Sequence, residues 1–177
     1  MLADSVRLAL PAEAPQLAAI QRRVWLQQLP QDLARSVLEG IDLDEMTTSW
    51  HAAIVRPPLA QFRVLAAVTE ERVTGFAAVG PSDDPDAEPG EDAVVAEFAI
   101  DPPAQRSGHG SRLLNACVDT RRADGFARAT WWVRSTDDAL RGFLEGAGWA
   151  PDGSHREIGS DDENRMKLVR LHTDIST

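Results

Sequence analysis

The chain has 177 residues, of which 43% are hydrophobic and 26% charged, and its formal net charge is −10. This size and composition predict one compact globular domain over residues 1–177 and leave too little chain for a second hydrophobic core. The acidic balance argues against nucleic acid as the main partner, because a phosphate backbone would meet a repulsive field.

The N-terminal residues lack the basic start and apolar run of a signal peptide, and no apolar stretch has the length of a membrane span. We therefore expect a cytoplasmic protein with no membrane partner. The single cysteine, Cys117, cannot form an internal disulfide. It lies at helical spacing with Leu113 and Leu114, which predicts a small core residue rather than a nucleophile. The four histidines show no ligand spacing, so no metal site is expected.

Hydrophobic periodicity predicts the elements in chain order. They are a strand over 6–10, helices over 12–26 and 42–55, an antiparallel strand pair over 62–68 and 73–79, a strand over 93–100, a helix over 111–123, a strand over 127–133, a helix over 137–145 and strands over 155–158 and 166–171. This order predicts a mixed α/β fold. The segment 81–92, rich in proline and acid, is either a solvated hairpin loop or an acidic flap that favours a cationic amine.

The junction after the strand over 93–100 is the most informative feature of the sequence. Gly108 and Gly110 lie one residue apart where the chain enters a helix, so the backbone can turn tightly and direct the N–H groups of the first helical turn at a phosphate. No Gly-Lys-Ser/Thr follows, which excludes a P-loop, and Leu113 stands where a dinucleotide-binding turn has its third glycine. The pattern that fits is Gln105-x-x-Gly108-x-Gly110.

With the preceding Ile-Asp-Pro and the following Ser-Arg-Leu-Leu, this pattern resembles the acyl-CoA pyrophosphate loop of the GNAT N-acetyltransferase superfamily. The segment 127–133 is similar to the family's fifth strand, and 137–149 is similar to its Asn-x-x-Ala-x-x-Phe-Tyr-Glu-x-x-Gly-Phe/Trp block. The resemblance implies a GNAT fold. In that α/β fold the mixed central sheet is mostly antiparallel and splays between its fourth and fifth strands, and about four helices pack on both faces.

The resemblance also implies acetyl-CoA as cofactor, with its pantetheine arm in the splay and its pyrophosphate on the turn. The implied cofactor-binding residues are Phe98, Ala99, Ile100, Gln105, Arg106, Ser107, Gly108, His109, Gly110, Ser111 and Asp137, the last standing where the family has Asn. The His109 side chain is expected to face solvent or phosphate. A basic cluster suits an anionic cofactor, and its members are Arg106, His109, Arg112, Arg121 and Arg122. For Arg121 and Arg122 the alternative is a solvated position on the helix surface.

The reaction implied by the resemblance is direct attack of an amine on the thioester, which requires a base. Glu97 is the candidate, because it is an ionisable residue within an apolar strand and burial would raise its pKa toward neutrality. The alternative is an outward-facing or salt-bridged glutamate, since the family's glutamate is often nearer Val94. Leu144 stands where the family has a tyrosine acid, and the chain has no tyrosine. The nearest hydroxyls are those of Ser135 and Thr136.

The leading hypothesis is an N-acetyltransferase that acts on the primary amine of a small molecule. The alternative is a catalytically weak acyl-CoA-binding sensor or interaction module with the same fold, and the acidic balance disfavours a nucleic-acid-modifying acetyltransferase. Trp25 and Trp50 fall on the early helices, either as packing anchors or as aromatic walls for an amine. A homodimer is expected, because dimers are common for this fold.

Overall fold

The computed structural model describes residues 5–159 and 165–177. The strands are β1 (Ser5–Leu8), β2 (Arg63–Thr69), β3 (Arg72–Pro81), β4 (Asp92–Ile100), β5 (Arg128–Arg134), β6 (Ala150–Ile158) and β7 (Met166–Asp174). The helices are α1 (Ala14–Gln28), α2 (Gln31–Gly40), α3 (Leu43–Val55), α4 (His109–Ala123) and α5 (Asp138–Gly146). Short 3₁₀ turns over Pro11–Glu13 and Pro102–Ala104 precede α1 and the glycine turn.

The described strands form one sheet in the order β1-β2-β3-β4-β5-β7-β6. Neighbouring strands are antiparallel except β4 and β5, which are parallel. The parallel pairing extends only from Asp92 opposite Arg128 to Val94 opposite Thr130, and beyond it the two strands are no longer paired. The structure confirms the predicted mixed sheet that opens between its fourth and fifth strands.

A β-bulge in β4 lies where this gap opens. Ala78 on β3 is opposite Glu97, and Val79 is opposite Val95, so one extra residue, Ala96, is accommodated on β4. A bulge bends its strand and increases the local twist. Because of the extra residue, Val94 and Glu97 lie on the same face of the sheet although they are three positions apart.

Helices cover both faces of the sheet, as predicted. On one face, Leu113, Leu114 and Cys117 of α4 and Leu144 of α5 pack with Trp131 in a buried cluster. On the other face, α1 and α3 pack on β2 and β3 in a second cluster that includes Leu17, Ile20, Trp50 and Phe76. Cys117 is a core residue, as predicted, and burial raises its pKa to about 12. No described helix is long and apolar enough to cross a membrane.

Two elements differ from the sequence-based expectations. Helix α2 is only ten residues long and was not predicted, although Leu33, Ala34, Val37 and Leu38 have helical spacing. Ala34 is its only buried residue, and the helix packs on α1. Strand β6 begins at Ala150 rather than at residue 155, since Pro151 and Gly153 discourage a strand prediction. The strand is at the sheet edge, where proline and a register shift are tolerated.

The acidic segment 81–92 is held against the sheet. Arg170 of β7 is 6% exposed and donates to Asp84 over 3.0 Å and to Asp86 over 2.7 Å. The indole Nε1 of Trp132 also donates to Asp84, over 3.0 Å. The expectation of a solvated loop is therefore wrong for Asp84, and the charge that was expected to favour a cationic amine is neutralised at both aspartates.

Candidate functional site

The glycine turn has left-handed backbone at two positions. Gly108 has φ 86° and is the N-cap of α4, so the helix begins at His109 rather than at the predicted residue 111. Arg106 has φ 63°, which is uncommon for a residue with a side chain. Such strain is found mostly where a backbone must take one functional shape.

The amides of this turn have no hydrogen-bond partner among the described residues. No described acceptor is hydrogen-bonded to the backbone N–H groups of residues 106–111, six consecutive amides by count. The last three belong to the first turn of α4, where N–H groups have no intrahelical acceptor and the helix dipole is positive. This run of free donors suits an anionic group with several oxygens, as a pyrophosphate has.

Helix α1 holds the turn from the side. Arg23 donates to both carboxylate oxygens of Asp101, over 2.8 and 3.1 Å. The Gln27 and Gln105 amides form reciprocal hydrogen bonds of 3.2 and 2.9 Å, and Gln105 also donates to the carbonyl of Ile100 over 3.0 Å. Gln105 therefore closes the turn back onto the end of β4.

Two residues of the predicted cofactor set have side chains engaged elsewhere. His109 was expected to face solvent or phosphate, but its side chain is buried and its Nδ1 lies 3.5 Å from Thr74 Oγ1. Asp137 is the N-cap of α5, accepts from the Leu140 amide over 3.1 Å and lies 3.7 Å from Arg134. His109 can thus contribute its backbone N–H to the turn, but not its side chain. The Asp137 side chain caps α5, a role that its position in the sequence pattern did not predict.

The predicted basic cluster is divided by the structure. Arg121 is fully buried and donates to Asp124, and Arg122 donates to Asp119 and to the carbonyl of Ile175. Both arginines lie in the last turn of α4, at the opposite end of the helix from the glycine turn. Arg106 and Arg112 are the members of the cluster that lie beside the turn.

Beyond Val94, one edge of β4 lines the gap. Phe98 and Ile100 pack on the α4 face, whereas Ala99 is buried on the α1 face. The Phe98 ring lies 4.8 Å from the ring centre of Trp131 on β5, so aromatic contact joins the strands on the α4 side of the gap. The absence of a side chain at Gly75 on β3 leaves room for Ile100, because a Cβ at Gly75 would lie 2.6 Å from Ile100 Cδ1.

Glu97 lies beyond the last β4–β5 pair, on the face covered by α1 and α3. Burial raises its pKa to about 7, and a hydrogen bond from the Gln21 side chain opposes part of that rise. No described residue forms an ion pair with Glu97, so the structure gives no support to the salt-bridged alternative. A carboxyl group that titrates near neutral pH can take a proton from an ammonium under ordinary conditions.

Trp132 forms the other side of this face. It lies on β5 two residues beyond Thr130, which is paired with Val94, so Trp132 and Glu97 share a face across the gap. The adjacent Trp131 points to the opposite face, as predicted for neighbouring strand residues. The Arg156 guanidinium carbon lies 4.3 Å from the centre of the Trp132 ring, and Asp84 accepts from the indole. The ring is held from two directions.

The position that the family fills with tyrosine has no access to this face. Leu144 is fully buried in the α4-side cluster, where its side chain fills the core. Ser135 and Thr136 follow β5, and Ser135 uses its backbone to bind Lys167 and Arg141. The candidate proton donors for the leaving thiolate are therefore solvent and these two hydroxyls.

A cleft of about 600 Å³ lies between α1 and α2, apart from the gap. It is lined by Arg22, Leu26, Leu29, Gln31, Ala34, Arg35, Leu38 and Glu39. Neither Glu97 nor any residue of the glycine turn lines it. We therefore place the candidate site at the β4–β5 gap, where the free amides and Glu97 belong to one strand and its turn.

The sequence interpretation missed the residues that support this site. Gln21, Arg23 and Gln27 reach Glu97, Asp101 and Gln105 from α1. One signal was available for Gln21: it lies at the helical spacing of the buried residues Leu17 and Val24. A polar residue in an apolar stripe requires a partner.

The sequence matches the protein-family model described as "Acetyltransferase (GNAT) family" over residues 26–149. The matched region includes β4, the glycine turn and α5. No curated protein matches the sequence significantly.

Solved structures with a similar fold include three with acetyltransferase descriptions. An N-acetyltransferase from Staphylococcus aureus Mu50 has a TM-score of 0.76 at 13% identity, with 98% of this chain and 99% of that chain covered. The protein yncA from Salmonella typhimurium, provisionally described as an acetyltransferase and solved with its cofactor acetyl-CoA, has a TM-score of 0.74 at 17% identity, with 98% and 95% covered. The ribosomal-protein-S18-alanine N-acetyltransferase from Escherichia coli has a TM-score of 0.68 at 16% identity, with 99% and 96% covered. At these identities the likeness shows the fold.

Proposed function

Because this chain belongs to the acetyltransferase (GNAT) family, we propose that it transfers an acetyl group from acetyl-CoA to the primary amine of a small molecule. The observation that carries the proposal is the arrangement of one strand and its turn. Glu97, with a pKa near 7, lies on β4, and the free amides of residues 106–111 follow at the end of that strand. In this proposal the base and the anion site lie beside one gap.

In this proposal the turn binds the cofactor pyrophosphate through its amides. The splayed edge of β4 binds the pantetheine arm as an added strand would. The similar yncA structure with acetyl-CoA supports this choice of cofactor. The proposed cofactor-binding residues are Phe98, Ala99, Ile100, Gln105, Arg106, Ser107, Gly108, His109, Gly110 and Ser111, with Asp137 at the entrance to α5.

Acetyl-CoA supplies the acetyl group as a thioester. Glu97 takes a proton from the ammonium, and the amine nitrogen attacks the thioester carbonyl carbon. A C–N bond forms, and the C–S bond breaks. The nitrogen loses its second proton to solvent, and the departing thiolate takes a proton from solvent. The departing thiolate needs little help, since thiol pKa values lie at about 8.5. Transfer can therefore proceed in this proposal although Leu144 replaces the tyrosine that protonates the thiolate in the family.

The first experiment measures thermal unfolding with and without acetyl-CoA, because a ligand that binds the folded state raises its stability by mass action. NAD⁺ is the control, since it carries a pyrophosphate but no pantetheine arm. We expect a saturable rise in Tm with acetyl-CoA and no rise with NAD⁺. No rise at high acetyl-CoA concentration contradicts the proposed cofactor.

Thiol release with a panel of primary amines then separates the enzyme from the alternative. The alternative is a catalytically weak acyl-CoA-binding sensor or interaction module, and the burial of Leu144 favours it. Amine-dependent thiol release supports the transferase. Binding of acetyl-CoA without thiol release for any amine supports the sensor.

We further propose that residues 1–177 act as one cytoplasmic domain that forms a homodimer. Sedimentation equilibrium tests the oligomeric state. A mass near 19.3 kDa, that of one chain, contradicts the dimer.

A further inference from the structure

Three polar side chains connect α3 to β4 through the core. Trp50 on α3 is 9% exposed, and its Nε1 donates to Gln21 Oε1 over 2.8 Å. Gln21 on α1 is 7% exposed, and its side chain reaches the Glu97 carboxyl group, which lies on the face of β4 that α1 covers. The indole nitrogen can only donate, so the Gln21 oxygen faces Trp50 and its NH₂ group faces Glu97.

We propose that Gln21, oriented by Trp50, is a positioning residue that directs the Glu97 carboxylate. The inference rests on the proposed function, in which Glu97 is the base. An N–H donor favours the charged form of a carboxyl group, whereas burial favours the neutral form. Gln21 therefore preserves the form of Glu97 that can accept a proton.

Packing holds this orientation. The Trp50 ring meets the Phe76 ring edge to face, with centres 4.9 Å apart and planes at 72°. Phe76 is fully buried on β3 opposite Ala99, two residues after Glu97 on β4. If the Gln21 amide turned over, its NH₂ group would meet the indole N–H, and two donors would face each other. The amide consequently has one favourable orientation.

No charged group in the described part of the chain is among the influences on the Glu97 pKa. Burial and the Gln21 hydrogen bond are the influences on the Glu97 pKa. Arg23 is paired with Asp101 at 2.8 Å. The charged and titratable side chains on the elements packed around Glu97 are Arg22 and Arg23 of α1, Asp44, Glu45 and His51 of α3, Arg72 of β3, Asp92 of β4, Asp101 after it, and Arg128 and Arg134 of β5.

The test is a direct titration of the Glu97 carboxyl carbon by NMR in the free protein. We expect a midpoint near 7 in the wild-type protein. In Gln21→Met the midpoint should rise on the order of one pH unit, because the donor is lost while burial remains. Trp50→Phe removes the indole N–H and should raise the midpoint in the same direction but by less, since the Gln21 amide then has no fixed orientation.

The matched control is Gln16→Met on the same helix. The Gln16 side-chain oxygen accepts from the Val73 amide over 3.2 Å, and no contact joins it to Glu97. This substitution has the same chemistry and also removes one hydrogen bond. The Glu97 midpoint should not move in it.

The pH profile of kcat/KM gives a second readout. On the acid limb, where Glu97 is mostly protonated, kcat/KM of Gln21→Met should be about tenfold lower than that of the wild type for a pKa shift of about one unit. At higher pH, where Glu97 is ionised in both proteins, the two kcat/KM values should converge. A merely structural role for Gln21 would lower the rate equally at every pH. That result, or an unchanged Glu97 midpoint in Gln21→Met, overturns the inference.

The two proposals fail in different ways. If the wild-type protein releases no thiol with any amine, the proposed function fails, and the titration still decides whether Gln21 controls the Glu97 carboxyl group. If Gln21→Met does not fold, Trp50→Phe decides, and an unchanged midpoint in that variant overturns the inference.

Discussion

Arg121 donates from Nη2 to Asp124 Oδ2 over 2.7 Å, and its own side chain has no solvent exposure. Within residues 5–159 and 165–177, its Nε and Nη1 atoms have no hydrogen-bond partner, so Asp124 is the group that compensates this buried charge. Arg63 also pairs with Asp124, at 2.8 Å, and is the main reason that the Asp124 pKa is lowered. One carboxylate thus joins α4 to β2.

Removal of this carboxylate should destabilise the fold strongly. Asp124→Asn leaves Arg121 buried without its counter-charge, which costs about 3–5 kcal/mol in the free energy of unfolding. Asp119→Asn is the control, because Asp119 is 73% exposed and pairs with Arg122 at the surface, where a pair contributes about 0–1 kcal/mol. Urea unfolding measures both variants. Equal losses would contradict the assigned role of Asp124.

The same carboxylate makes stability depend on acidity. Its folded-state pKa lies below the unfolded value of 3.8, so its stabilisation is present above that value and is lost as the pH falls through the folded pKa. We expect the difference in unfolding free energy between the wild type and Asp124→Asn to shrink on acidification below about pH 4. A difference that is constant down to about pH 2 would disagree.

Glu97→Gln should lower kcat/KM and raise the free energy of unfolding. Loss of a general base costs about 100-fold or more in kcat/KM. The folded pKa of about 7 lies above the unfolded value of 4.5, so the stabilisation is full below 4.5 and is lost as the pH rises through 7. The variant does not ionise and should therefore gain on the order of 2 kcal/mol relative to the wild type between about pH 4 and pH 8.

Thiol-release kinetics and urea unfolding at both pH values test this prediction. Glu91→Gln is the control, because Glu91 is exposed just before β4 and should change neither quantity. Unaltered kcat/KM in Glu97→Gln would end the candidacy of Glu97 as the base.

Gly108→Ala should weaken cofactor binding through the backbone. Gly108 has φ 86°, and a Cβ there meets open space, so the cost is conformational, at about 1–2 kcal/mol. A turn that relaxes this strain misplaces its amides, and we expect a Kd for acetyl-CoA that is roughly tenfold higher. Isothermal titration measures it.

Gly125→Ala is the matched control for this prediction. Gly125 has φ 93°, also meets open space, and lies beyond the far end of α4. It should lose similar stability without a change in Kd. Equal Kd increases in the two variants would mean that general destabilisation, rather than the turn, is responsible.

Arg170→Gln should release the acidic segment 81–92 from the sheet. The arginine binds Asp84, Asp86 and Asp152, and Asp86 is the main reason that its own pKa is raised. We expect faster amide hydrogen exchange in this segment, since its side-chain anchor is lost. Lys167→Gln, an exposed position on the same strand, is the control. Unchanged exchange in Arg170→Gln would show that other contacts hold the segment.

Much of this architecture could be read from local patterns. The strand ending at Ile100, the turn with Gly108 and the helix after it depend on alternation, glycine and helical spacing within about thirty residues. Helix α2 escaped prediction although Leu33, Val37 and Leu38 have helical spacing, because a segment of ten residues gives only a short pattern. The direction of the His109 side chain was also beyond local reasoning, since it is determined by Thr74 on another strand.

The sequence by itself determined most of the elements and the glycine turn, because each depends on residues close together in the chain. The splay between the fourth and fifth strands was expected only from the resemblance to the family. Only the tertiary structure decided which polar groups meet. Gln21, Trp50 and Glu97 come from three elements and touch because α1 and α3 pack on the same face of the sheet. The protonation of the candidate base follows from that packing, since burial and a single donor act on it in opposite directions.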